Sequence, residues 1–363
     1  MTKPLRILLL SDGRPGHYHL AEGICAALRR LCPIEVATVP IERRRRMPTR
    51  LLMGALRARL ASPALALRLG YSLDKSALPH ADLVVSAGGD TIAANVAAAR
   101  LFEAGNIFCG TLRHAAPEDF SLIVSSYSRH AGLPRHIVCL KPTAMDPDAL
   151  GRPKTIPVFG PANPPRTAAL LIGGDSGLFH YRYDEWRRLL AFLTDQHAAH
   201  GTRWFVSTSR RTPAGVADAV ANMLAQETSR TTSGAPGAIA GVLDYRTAGP
   251  GTLPRLMAQA DVVLCTEDSS TMISETIAAR LPVVGVSPAD HAFKPEEGEY
   301  RALMIERGWA RFLGLAELTP DRFLAELARV TPLADNHLDA LASTLVVALG
   351  DRLPGLTSRS LRS

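Results

Sequence analysis

Aromatic residues are scarce. Phe, Trp and Tyr together make up 6% of the 363 residues, too few to furnish the stacking platforms on which single-stranded nucleic acids are held. Cysteine is sparse as well. Cys25, Cys32, Cys109, Cys139 and Cys265 stand far apart with no C-x-x-C pair, which excludes zinc-ribbon spacing and a disulfide scaffold and fits a reducing compartment. No apolar run approaches the roughly 18 residues that a membrane span requires. The basic start "MTKPLRILLLSDG" has too short an apolar run for a secretory signal and passes straight into a glycine loop, so a cytoplasmic protein is expected. No G-K-[ST] occurs, and the glycine cluster "IGGDSG" is not a G-x-G-x-x-G; both absences argue against P-loop NTPases and Rossmann dehydrogenases.

What is present reads as globular. Apolar residues make up 47% and charged residues 21%, and the length accommodates two domains with separate cores. The net charge of +7 leaves room for an acidic partner: phosphate, nucleic acid or an anionic membrane face.

Short β-like runs alternate with helical patterns. "LRILLLSDG" precedes "YHLAEGICAALRRLC", "ADLVVSAGGD" precedes "TIAANVAAARLFEAG", and "SLIVSS" and "HIVCL" end the first half. Residues 152–167, "RPKTIPVFGPANPPRT", are proline-rich and aperiodic. The rhythm then restarts with "AALLIGGDSG", "RWFVSTSRRTP" and "DVVLCTEDSS", each followed by a helical pattern. This predicts an α/β chain of parallel sheets: a first domain over 1–151, a linker over 152–167, a second domain over 168–332, and a C-terminal helix and tail over 333–363. A cleft between two such domains is the expected ligand site. Glu227 to Gly241 reads as a low-complexity loop.

The strand-to-helix junctions carry the small and polar residues. In "SDGRPGHYHLAEG", Gly13 and Gly16 permit positive φ, Pro15 stiffens the turn beside Arg14, and His17 falls at the helix start as a candidate general base. His19 reads as solvent-facing. In "SAGGDT", Gly88 and Gly89 free the backbone, and helix capping alone accounts for Asp90. In "IGGDSGLFHYR", Gly173, Gly174, Ser176 and Gly177 resemble a nest of N–H groups for phosphate. In "STSRRTP", Arg210 and Arg211 end a strand where guanidinium groups suit a pyrophosphate. In "DVVLCTEDSSTMISETIAAR", a helix from Ser270 to Arg280 puts Ile273 and Ile277 on its inner face and Thr271 and Glu275 nearly opposite. Ser269, Ser270 and Thr271 then surround free N–H groups that hold an anion, and Glu275, one turn in, can accept from ribose hydroxyls. Ordinary capping with a solvated Glu275 is the alternative.

Asp146 and Asp148 in "DPD" have metal-motif spacing but lie in a proline-rich strand exit of the first domain and read as a turn. Residues 41–70 mix arginines with leucines at helical spacing. They read either as a helix pair covering the sheet or as a surface resting on anionic lipid.

With "SDGRPGH", "IGGDSG", "STSRRTP" and "TEDSSTMISE" in this order, the chain resembles the family named after the plant mitochondrial-fission protein "elongated mitochondria", whose bacterial members are usually described as glycosyltransferases. The resemblance implies a GT-B-like fold, two Rossmann-like domains facing across a cleft. It implies a nucleotide-sugar donor held by Gly174, Asp175, Ser176, Arg210, Arg211, Ser269, Ser270, Thr271 and Glu275, with His17 or Asp12 serving acceptor chemistry. The loop residues Gly13, Arg14, Gly16, Gly89 and Asp90 fall on the acceptor side. Neither cofactor nor metal is implied. The acceptor would be a lipid-linked or cell-surface glycan, the location the cytoplasm or the inner membrane face, and nucleic acid is not expected as a partner. The sequence departs from the family pattern at "SYSRHAG", which lacks an acid, and after the first motif, where His19 or Leu20 stands in place of a glutamine. A non-catalytic adaptor and a sugar-nucleotide epimerase are the alternative functions.

Overall fold

The computed structural model describes residues 3–44, 46–230, 237–249 and 251–350. The chain divides into two compact units. One runs to Ala144 and is completed by the segment from His337; the other is Met145–Asn336.

The first unit contains β1 (Leu5–Ser11), α1 (Pro15–Arg29), β2 (Ile34–Pro40), α2 (Thr49–Arg57), α3 (Pro63–Tyr71), β3 (Leu83–Ala87), α4 (Ile92–Phe102), β4 (Gly105–Cys109), β5 (Leu122–Ser125) and β6 (His136–Val138). Its sheet is parallel throughout, in the order β2-β1-β3-β4-β5-β6. Unbroken apolar runs such as Ile7–Leu10 suit strands covered on both faces. Ile7 and Leu9 join the cluster under α1, while Leu8 and Leu10 join the cluster under α2, α3 and α4. Alternate side chains of β1 thus feed opposite layers. Because α1 and α4 leave neighbouring strands toward opposite faces, the order reverses between β1 and β3, and a crevice opens at their C-terminal ends.

The second unit contains β7 (Thr167–Leu171), β8 (Phe179–His180), α5 (Tyr183–His200), β9 (Arg203–Ser207), α6 (Ala214–Arg230), β10 (Ile239–Leu243), α7 (Tyr245–Ala248), α8 (Leu253–Met257), β11 (Val262–Thr266), α9 (Ser270–Ala278), β12 (Val283–Ser287), β13 (Asp290–His291), α10 (Pro295–Glu306), β14 (Ala310–Gly314) and α11 (Pro320–Leu327). Its parallel sheet has the order β10-β9-β7-β11-β12-β14, the order of a dinucleotide-binding Rossmann domain with its switch point between β7 and β11. β8 and β13 form a separate antiparallel pair. The fold is therefore α/β with two Rossmann-like units.

The division differs from the expected boundaries. Residues from 145 onward already belong to the second unit, where Arg152 donates to the Ala260 carbonyl at 2.9 Å. Asp146 and Asp148 form a turn (Asp148 N–H to Asp146 Oδ1, 3.1 Å), and Asn336 Nδ2 bonds both carboxylates at 2.8 Å. They are a turn as read, but in the second unit. The closing helix α12 (His337–Leu349) returns to the first unit. Its Leu338, Leu341, Leu345 and Leu349 form one apolar stripe that needs a partner, and α1 supplies it. The C-terminal tail beyond residue 350 lies outside the described residues. The low-complexity loop shrinks: α6 runs to Arg230 and β10 starts at Ile239, while residues 231–236 lie outside the described residues. Among the described residues, no helix is long and apolar enough to cross a membrane.

Candidate functional site

In the first unit, the loops after β1 and β3 converge. Gly13 takes φ +74° to turn the chain out of β1, whereas Gly16, expected to do the same, lies in the first turn of α1 with no positive φ. Pro15 fits there because the N–H of a first-turn residue has no acceptor within the helix, so proline loses nothing by lacking one. The turn brings Asp12, its side chain 6% exposed, within 2.7 Å of His17 Nδ1. A carboxylate only accepts, so it fixes the Nδ1–H tautomer and leaves Nε2 as the basic nitrogen. The ring lies directly over Gly88, where φ is +88° and an added Cβ would fall 2.1 Å from Nδ1. Gly88 is therefore the glycine that His17 requires. At Gly89 an added Cβ would instead meet the Arg113 side chain at 3.3 Å.

Asp90 is not a helix cap. Arg43 Nε donates to it at 2.8 Å, Arg14 Nη2 approaches at 3.3 Å, and Tyr71 Oη donates to its carbonyl at 2.9 Å. The Arg43 hydrogen bond holds the Asp90 carboxyl below the usual carboxylate range, against a desolvation that pushes the other way. This acid is thus a tether between the loop and the segment that carries α2 and α3. His19 pairs with Glu22 at 3.3 Å, in line with its surface reading.

In the second unit, the loops after β7, β9 and β11 meet at the switch point. The expected phosphate nest is partly filled from within. The Gly173 N–H donates to Thr266 Oγ1 at 2.7 Å and the Gly174 N–H to Asp268 Oδ2 at 3.2 Å. Asp268 also accepts from Tyr181 Oη at 3.2 Å and pairs with Arg211, and its side chain has no exposure. A Cβ on Gly173 would fall 2.2 Å from the Asp268 carboxylate, and one on Gly174 2.0 Å from the Arg211 carbonyl. The glycines make room for an internal anion and for the neighbouring loop. Asp175 accepts from the Tyr181 N–H at 2.9 Å, and Ser176 closes a tight backbone turn with Phe179; both shape the loop. Burial and the adjacent Asp268 hold the Tyr181 phenol well above its ordinary value.

Arg211 therefore serves Asp268 in this structure, and Arg210 is exposed beside it. Ser209 Oγ and Thr212 Oγ1 donate to the Gly173 carbonyl at 3.0 and 2.8 Å, fixing the arginine loop to the glycine loop.

Helix α9 begins as expected, with Ser269 as N-cap accepting from the Met272 N–H at 3.4 Å, and ends at Ala278. Its first turn holds no acidic side chain. Ile273 and Ile277 are buried, while Thr271 and Glu275 are half-buried on the opposite side. A cavity of about 300 Å³ opens next to the helix start, with Ser176, Asp268, Ser270, Phe293 and Arg301 in its wall. It brings together expected donor residues from two loops. Glu267, a largely buried part of the same wall, pairs with Arg301 and accepts from Ser287 Oγ; the Arg301 guanidinium lies 4.3 Å from the Phe312 ring centroid. No motif assigns a role to Tyr181, Glu267, Asp268 or Arg301, and in "SAGGDT" the free backbone at Gly88 is legible but not the His17 ring over it. Glu267 and Asp268 stood inside the quoted "TEDSS" cluster, but nothing in the spacing showed that they point inward. Among the described residues, no group of three or more His, Cys, Asp or Glu side chains could hold a metal ion.

Residues 15–342 match the family described as "Mitochondrial fission ELM1". The chain belongs to this family. No curated protein matches it. Solved structures similar to this family member include MurG of Acinetobacter baumannii (12% identical, TM-score 0.45, covering 94% of this chain and 100% of that one). The glycosyltransferase SnogD from Streptomyces nogalater is 15% identical with a TM-score of 0.48, covering 94% of this chain and 95% of that one. The UDP-GlcNAc 2-epimerase of Methanocaldococcus jannaschii, in complex with UDP-GlcNAc and UDP, is 10% identical with a TM-score of 0.47, covering 95% and 100%. Likeness at this level assigns no residue a role.

Proposed function

We propose that this ELM1-family protein is a glycosyltransferase of GT-B type that moves a sugar from a nucleotide-sugar to a hydroxyl of a lipid-linked or cell-surface glycan, without a metal. The observation that carries this reading is the Asp12–His17 pair at the C-terminal end of β1, 2.7 Å apart and seated on Gly88. Asp12 holds the imidazole in the tautomer whose Nε2 takes the acceptor proton. The acceptor oxygen then bonds to the anomeric carbon as the bond from that carbon to the diphosphate oxygen breaks. The departing charge would be met by the N–H groups at the start of α9 and by Arg210. Glu275, one turn along that helix, is assigned to the ribose hydroxyls, and Ser176 and Ser270 to the donor's polar groups.

His17→Ala tests this directly. Turnover of the productive donor–acceptor pair is expected to fall by about 100-fold or more, the scale of a lost general base, while donor affinity measured by calorimetry stays unchanged. Donor affinity falling in step with turnover would contradict the base assignment.

A non-catalytic adaptor is the second reading, and the family description favours it. So does Asp268, which fills part of the phosphate nest from within. An adaptor would bind no nucleotide at β7 and β11, and Glu275→Ala would leave its partner binding intact.

A further inference from the structure

The chain's net charge is +7, and its source is local. Between Glu42 and Asp74 there are eight arginines and no lysine or acid, so the remainder of the chain carries −1. Three of these arginines are engaged inside the first unit: Arg43 with Asp90, Arg44 with Ser72 and Arg57 with Asp119. Arg45 lies outside the described residues. The other four, Arg46, Arg50, Arg59 and Arg68, are exposed and make no ion pair among the described residues.

The same segment concentrates exposed leucine. Leu51, Leu60 and Leu69 are 61%, 81% and 39% exposed. On α2 the inward arc is Leu52, Met53 and Leu56, while Arg50, Leu51, Gly54 and Arg57 face outward. Leu60 and Arg59 occupy the turn between α2 and α3, and Arg68 and Leu69 lie on the outer side of α3. The hairpin is firmly seated, since a Cβ on Gly70 of α3 would fall 2.6 Å from Leu52 of α2. What it presents is a fixed array of cations interleaved with leucines.

We infer that the outer face of α2 and α3 docks on an anionic phospholipid bilayer. Guanidinium groups match lipid phosphates, and the leucines between them are in place to enter the acyl boundary. A nucleic acid would use the arginines but leave the leucines in water, and residues 43–70 contain no aromatic side chain for stacking. A second copy of the same face is repelled by like charge. Arg43 and Tyr71, at the two ends of the segment, both bind Asp90, so the docking face is rooted in the loop that holds His17. Under the glycosyl-transfer reading, that places the acceptor loop in register with a lipid-borne acceptor. The docking itself does not depend on catalysis.

The test is co-sedimentation of the full-length protein with phosphatidylcholine vesicles, pure or mixed with phosphatidylglycerol, read without turnover. Binding to mixed vesicles only, weakening as salt rises, is expected. Arg50→Glu with Arg59→Glu should lower the vesicle-bound to free ratio at least about tenfold. Leu51→Ser with Leu60→Ser should also weaken binding and leave the remainder more salt-sensitive. Melting temperatures serve as the fold control, and Arg46→Glu, in the loop before α2, replaces any variant that melts early. Equal binding to neutral and mixed vesicles, or unchanged binding by the arginine variants, would overturn the inference. So would displacement from mixed vesicles by a short RNA at equal charge, which would make the face a nucleic-acid site.

Discussion

Gly88 and Asp268 show what single residues do at the two strand-end sites. At Gly88 the backbone takes φ +88° and the His17 ring occupies the space a Cβ would fill. Gly88→Ala is therefore strained on two counts. It should lower stability by about 1–3 kcal/mol in urea titration and displace His17, lowering turnover without weakening nucleotide binding. Asp268 is the internal anion of the second unit. Asp268→Ala would take their partner from the Gly174 N–H and Arg211 and one hydrogen bond from the buried Tyr181 hydroxyl, at a cost of about 1–3 kcal/mol, read as a lower urea midpoint. Asp268→Asn, which keeps an acceptor oxygen, should lose less. An unchanged midpoint in Asp268→Ala would show that these bonds are not made in solution. Neither role could be read from sequence. His17 and Gly88 are far apart in the chain, as are Gly173 and Asp268, and only the parallel sheets bring them together. The residue types were visible at the junctions; which of them faced ligand and which faced one another was not.

At the scale of elements, the alternation of apolar runs and helical patterns was legible, because strands covered on both faces have little choice of composition. The strands "GNIFC" and "ARFLG", β4 and β14, are not legible because each is five residues of mixed apolar and polar character close behind a helical pattern. The return of α12 to the first unit was also hidden, since its leucine stripe states a need for a partner but not which one. Leu345 is fully buried in the cluster shared with α1. Leu345→Ala should cost about 2–5 kcal/mol, seen as earlier unfolding of the first unit. A second prediction concerns pH. The Arg6 guanidinium clamps Asp82 just ahead of β3 through bonds of 2.7 and 3.1 Å, holding its carboxyl down at about 2. A depressed carboxyl contributes stability above the unfolded value of about 3.9 and loses it as pH falls toward 2. Urea midpoints of the native protein should drop across that window more steeply than those of Asp82→Asn. Because the pair is partly exposed, the difference should be modest.

For the whole molecule, glycosyl transfer has one requirement: a nucleotide must bind at the ends of β7 and β11, with Glu275 on its ribose. The most direct measurement is a thermal-shift series of the purified protein against nucleoside diphosphates and nucleotide-sugars in the presence of a chelator, alongside Glu275→Ala. A ligand present at about 100 times its dissociation constant adds about 2.7 kcal/mol, readily visible in a melt. A clear upward shift for one nucleotide family, abolished in Glu275→Ala, is expected. No shift with any nucleotide, or a shift that Glu275→Ala leaves intact, would contradict the donor site and favour the adaptor.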